Sequence, residues 1–147
     1  MKPLTKTLGD GCKHKVQKRK YYSHSNIDII MKLCPCCKLL TLPDMDLHEI
    51  CPVCWWEKDD QNETNKYEIF GGPNHDYSLS EAQSNFKKYY IMFRPSDPKF
   101  SKLNKEMKIK KEMIRLYQNM LVSDDVRVEK MDKYLKLLKK IDDANLK

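Results

Sequence analysis

Two stretches of this chain carry residue types and spacing suited to holding a metal ion: Cys34-Pro35-Cys36-Cys37 and Cys51-Pro52-Val53-Cys54, with thirteen residues between them. Each ends as a Cys-Pro-x-Cys turn, so one small device occurs twice. Two such pairs suit a single tetrahedral Zn²⁺, each turn supplying two thiolates. The proline fixes φ, and later amides in the turn stay free to point at sulfur. Cys34, Cys37, Cys51 and Cys54 then fill four positions and leave none for a catalytic water. The gap is slightly under the roughly 15–20 residues usual for this pattern, which allows only a short hairpin. Redox chemistry or cluster ligation is the alternative use of the same thiols. Cys36 is the odd one out: a small buried residue, a register alternative to Cys37 as ligand, or a thiol activated by the nearby metal.

Disulfides fit less well. Residues 1–25 hold no apolar signal-peptide core and their charges are spread throughout, so the expected compartment is the cytoplasm, where thiols stay reduced. A thioredoxin-like site would need one motif opening a helix, and here there are two in a hairpin-like setting. No apolar run approaches the ~20 residues that span a bilayer, so no membrane partner is expected.

The net charge of +7 is divided along the chain. Residues 1–33 carry eight Lys/Arg and two acids, whereas residues 34–77 carry three and nine. Residues 78–100 carry four and two, and residues 101–147 thirteen and eight. The cysteine-bearing part is thus the acidic part of a basic protein. Residues 1–31 read as a basic arm, with a turn at Gly9-Asp10-Gly11, a cluster at Lys18-Arg19-Lys20, and Tyr21-Tyr22 directly behind it. Within it, residues 1–25 read as a solvated or loosely docked tail, with a basic-aromatic nucleic-acid surface as the sharper alternative. Cys12 and His14 have no partner motif and read as bystanders. Met31 would serve as a translation start, leaving the arm as an extension.

The elements that must position the cysteines follow from periodicity. Ile27, Ile29, Met31 and Leu33 alternate with Asp28, Ile30 and Lys32, as in a strand leading into the first turn. Residues 38–42 read as a second strand, Pro43-Asp44-Met45-Asp46 as a turn, and residues 47–50 as the return strand of a zinc-ribbon hairpin, with His48 exposed. Trp55 and Trp56 should cover the small core while their N–H groups find acceptors. Gly71-Gly72-Pro73-Asn74 is a turn, and Ser78-Leu79-Ser80-Glu81 is a capping box opening a helix to about Tyr90. Residues 94–98 read as a hinge. Beyond it, Leu103 to Leu121 and Val128 to Ile141 show helical apolar spacing, broken at Ser123-Asp124-Asp125, as in an antiparallel helical hairpin. The expected fold class is α+β: a zinc-ribbon-like β-hairpin module with a following helix, spanning residues 32–95, and a helical hairpin over residues 96–147.

Four blocks now stand in order: Cys34-Pro35-Cys36-Cys37; Cys51-Pro52-Val53-Cys54-Trp55-Trp56-Glu57; Gly71-Gly72-Pro73-Asn74; and Ser78-Leu79-Ser80-Glu81-Ala82 followed by Asn85-Phe86. Together they resemble the bacterial cysteine-rich CPCC family over about residues 32–95. The resemblance implies a small, cytoplasmic, zinc-binding domain. It also marks two departures: Lys38 stands where the family usually has glycine, and Lys58 replaces an acid.

Three functions compete. A binding module that engages a basic protein partner, as an adaptor or immunity-type protein, needs no catalytic residue and fits the acidic segment. A nucleic-acid-binding regulator would use the basic arm and helices, but Zn²⁺ with four thiolates adds a charge of −2 to a segment already acidic. A thiol-dependent enzyme or redox protein would have only Cys36, His48, His75 and Asp76 to draw on, at spacings that force none of them together.

Overall fold

The computed structural model describes residues 19–22, 28–43, 49–122 and 127–147. Within these the chain is α+β. Three strands, β1 (Arg19–Tyr22), β2 (Asp28–Leu33) and β3 (Leu40–Pro43), form one antiparallel sheet in that order. Four helices follow: α1 (Leu79–Tyr89), α2 (Pro98–Leu103), α3 (Met107–Val122) and α4 (Arg127–Asn145).

The strand reading of residues 27–33 places β2 correctly, but its alternation stops early. Met31 is buried while Leu33 is 44% exposed, because the pairing of β2 with β3 slips between Lys32 and Leu33. The hairpin that matters is the one across the first cysteine turn, where Lys32 pairs with Leu42 and Leu33 with Leu40. Residues 44–48 lie outside the described residues, which takes in most of the anticipated turn and, of the return strand, Leu47 and His48. Ile50 makes a single bridge to Glu57 across the second turn. Each Cys-Pro-x-Cys turn is therefore closed by its own short antiparallel pair.

The reading of residues 1–25 as a tail changes at Arg19–Tyr22, which pair with β2 from Arg19 opposite Met31 to Tyr22 opposite Asp28. Tyr21-Tyr22 is a good strand-former, and β2 offers an open edge to receive it. The remainder of that segment, with Cys12 and His14, lies outside the described residues, as does the break at Ser123-Asp124-Asp125.

α1 begins as the capping box predicts. The Ser78 hydroxyl accepts from the Glu81 amide at 3.2 Å, although the Glu81 carboxylate turns to Arg94. The helix ends at Tyr90, whose φ of 63° is left-handed. Asp97-Pro98 is the capped start of α2, where a hinge was expected. The Asp97 carboxylate accepts from the Lys99 amide at 2.9 Å, and Pro98 fills the first-turn position that needs no donor.

The buried apolar residues form one cluster from Met31 to Ile141. It joins the cysteines, Leu40, Leu42, Trp56 and Leu79 to Met113, Leu116, Tyr134 and Ile141 of α3 and α4. Helix α3 packs beside α4, so the helical hairpin buries its apolar face directly behind the cysteine turns. Among the described residues, no helix is long and apolar enough to cross a membrane.

Candidate metal centre

The two cysteine turns repeat each other in structure as they do in sequence. In the first, the Cys34 amide donates to the Leu39 carbonyl at 2.9 Å and the Lys38 amide to the Cys34 carbonyl at 2.9 Å. In the second, the Cys51 amide donates to the Trp56 carbonyl at 2.9 Å and the Trp55 amide to the Cys51 carbonyl at 2.8 Å. The residue after the last cysteine is left-handed in both, with φ of 60° at Lys38 and 70° at Trp55. Glycine suits that conformation best, because it has no Cβ to clash. The departure at Lys38 therefore falls on a strained position.

This repetition brings the sulfurs of Cys34, Cys37, Cys51 and Cys54 together, all within 4.8 Å of one another and all buried. Across the two turns, the Cys34 and Cys54 sulfurs lie 3.5 Å apart, and those of Cys37 and Cys51 lie 3.7 Å apart. A tetrahedron with metal–sulfur bonds of about 2.3 Å has edges of about 3.8 Å, so these separations suit a tetrahedrally bound ion. The cluster could hold a metal ion, and thiolate donors select soft or borderline ions.

Cys37, Cys51 and Cys54 differ in how firmly they hold their protons. Burial pushes the Cys37 and Cys54 thiols well above the ordinary value. Burial acts on Cys51 too, but hydrogen bonds from Cys34, Cys37, Cys54 and Thr41 hold it well below that value. The Thr41 hydroxyl lies 3.0 Å from the Cys51 sulfur. A hydroxyl donor so placed orients and stabilises a thiolate in the way outer partners support metal ligands. Cys36 is buried beside the four, and burial raises its thiol as well. That is the opposite of an activated nucleophile.

Of the remaining residues of the thiol-enzyme reading, His48 lies outside the described residues, and His75 and Asp76 do not join the cluster in one site. His75 is exposed, its Nε2 3.1 Å from the Lys99 ammonium. Asp76 is exposed and pairs with Arg94 at 2.7 Å. Arg94 also binds Glu81 and lies 4.2 Å from the centre of the Tyr77 ring. These contacts brace α1 against the segment after it.

Several residues that position the cluster carry no obvious motif. Asn74, 1% exposed, accepts from the Glu57 amide at 3.0 Å and donates to the Glu57 carbonyl at 2.8 Å. It so fixes the Gly71-Gly72-Pro73-Asn74 turn to the second cysteine turn. Buried Gln61 accepts from the Leu79 amide at 3.1 Å. From the helices, Tyr134 donates to the Leu40 carbonyl and Asn145 to the Pro52 carbonyl, each at 3.0 Å. Lys110 is 1% exposed on the inner face of α3. Its sequence position gives one signal, since it falls in the apolar stripe three and seven residues before Met113 and Tyr117. Trp56 is fully buried as expected, but neither indole N–H meets an acceptor. Apolar burial is what the two rings contribute to this core.

The geometry defines a small α+β protein built on two matched cysteine turns backed by a helical hairpin. The chain belongs to the cysteine-rich CPCC family, whose model matches residues 32–106. The match runs through α2 to the start of α3, past the boundary near residue 95 drawn from the motifs. Neither a curated protein nor a solved structure matches the chain.

Proposed function

We propose that this protein is a zinc-stabilised binding module that engages a basic protein partner, in an adaptor or immunity-type role. The observation that carries this reading is the surface beyond the second cysteine turn. Tyr67, Ile69 and Phe70 are 77%, 61% and 45% exposed, and Asp60, Glu63 and Glu68 lie exposed in the same loop. Exposed aromatic and aliphatic side chains edged by charged groups, here acids with Lys66 over the Tyr67 ring and paired to Glu63, are the makings of an interface.

The loop is held in shape before any partner arrives. The Asn62 amide donates to Asn65 Oδ1 at 2.7 Å, the Thr64 amide to Asn62 Oδ1 at 2.9 Å, and the Ser80 amide to the Lys66 carbonyl at 2.8 Å. Such preorganisation lowers the ordering cost of binding. Cys34, Cys37, Cys51 and Cys54 would hold the zinc, whose role is to lock both turns and the loop they support. A closed four-thiolate site gives it no open position for chemistry.

The test uses the full-length, zinc-loaded protein as bait, beside a variant carrying Asp60→Lys, Glu68→Lys, Tyr67→Ser and Phe70→Ser. A protein captured by the native chain, released by salt and lost with the variant is the expected result. Captured nucleic acid, retained by the variant and lost on neutralising Lys133, Lys136 and Lys140 of α4, would establish the regulator instead.

A further inference from the structure

Lys110 is the only cation among the buried polar side chains of the described residues, which are Thr41, Gln61, Asn74 and Lys110. Its ammonium donates to the Tyr90 carbonyl at 3.0 Å and faces Asn104 Oδ1 at 3.4 Å. Both acceptors are neutral. Burying an ammonium among neutral groups costs several kcal/mol in general, unless a net opposite charge lies near. The backbone leads from the first of these acceptors to the cysteine turns. Tyr90 stands two residues before Met92, whose amide donates to the Cys54 carbonyl at 3.0 Å. The ammonium is thus set on the strip of chain fastened to the second cysteine turn. Burial pushes Lys110 down to about 8, while negative charge on Cys54, Cys51 and Cys37 acts to pull it back toward its charged form.

We infer that Lys110 is the internal counter-charge of the metal centre, so that α3 supports metal binding electrostatically as well as by packing. Four thiolates around a divalent ion leave a buried charge of −2, and Lys110 offsets half of it. The inference rests on the metal reading and extends it to a residue beyond the stretch that the family model matches. A simpler role is available: Lys110 also caps the carboxyl end of α1 through Tyr90, where a cation is favourable. The two roles separate in their dependence on charge at the metal.

The test is competition for zinc between the full-length protein and a chromophoric chelator, with folding checked by circular dichroism in excess zinc. The native chain should bind one zinc; failure here sinks the metal reading itself and not the inference alone. Given that, Lys110→Met should bind zinc about 10–100-fold more weakly, the usual range for an outer partner of a metal site. Lys110→Arg should recover most of the loss. Asn104→Asp places a rival carboxylate beside the ammonium and should also weaken zinc binding about tenfold or more. A folded Lys110→Met protein with native affinity would overturn the inference. Should that variant not fold, unchanged affinity in Asn104→Asp would overturn it as well.

Discussion

The hydroxyl of Tyr134, in α4, donates a hydrogen bond of 3.0 Å to the backbone carbonyl of Leu40, 94 residues earlier in the chain. Tyr134 is fully buried and Leu40 is 1% exposed, so neither group has water to fall back on. Leu40 opens the strand that leaves the first cysteine turn. The bond therefore fastens the helical hairpin to the backbone that shapes the cluster.

Tyr134→Phe should accordingly destabilise the whole chain by about 1–2 kcal/mol, the cost of leaving a buried carbonyl unsatisfied. Thermal unfolding followed by helix signal and by zinc release should shift together. A shift in only one of the two would mean that the hairpin and the cysteine turns unfold separately.

Metal removal should act in the same direction and more strongly. Structural zinc sites contribute on the order of 10 kcal/mol to folding, and Cys54 is fully buried. Cys54→Ser, or chelation of the native protein, should unfold the cysteine turns. It should also cost α3 and α4 much of their helicity, because Met113, Tyr134 and Ile141 share that core. Circular dichroism at 222 nm reads this directly. Full retention of helix after zinc loss would contradict it.

The sequence made the cluster legible because its information is local: cysteine spacing, proline and the turn residues around them. The Ser78 cap and the apolar stripes of α3 and α4 were legible for the same reason. The strand at Arg19–Tyr22 was not, since a run of basic residues beside two tyrosines reads equally as an arm, and only the open edge of β2 decides. The Asp97 cap of α2 was masked by two prolines that also suit a hinge. The inward turn of the Asn74 side chain was beyond reach because long-range placement sets it, and Lys110 left one local trace, its place in the apolar stripe of α3.

Lys38 gives a test of backbone conformation. Its φ of 60° suits glycine, and its side chain pairs with Glu63 at the surface. Lys38→Ala and Lys38→Gly both remove that pair, so the difference between them reports conformation. Glycine should be the more stable of the two by up to about 1 kcal/mol, the left-handed preference being partly offset by greater freedom in the unfolded chain. Denaturant midpoints at saturating zinc give the comparison. Alanine matching or exceeding glycine would show that the turn does not impose this φ.

Glu63 gives the test in pH. Its carboxylate accepts from Lys38, from Gln83 at 2.8 Å and from Lys66 at 3.1 Å, and Gln83 also donates to the Pro35 carbonyl at 3.0 Å. The Lys38 hydrogen bond leads in lowering this carboxyl from 4.5 to about 2, against the opposing effect of partial burial. A depressed pKa in the folded state means that the ionised form stabilises the fold. The contribution is full above about 4.5 and shrinks as pH falls from there toward 2. The side chain is half exposed, so solvent screening holds its worth to less than about 1 kcal/mol. Glu63→Gln should lower stability by that small amount, with a gap to the native protein that stays constant between pH 7 and pH 5. That range lies above the window of loss, and thermal midpoints with zinc in excess can be taken across it. A gap already closing between pH 7 and pH 5 would show that Glu63 titrates as an ordinary or raised carboxyl, and that Lys38 does not hold it.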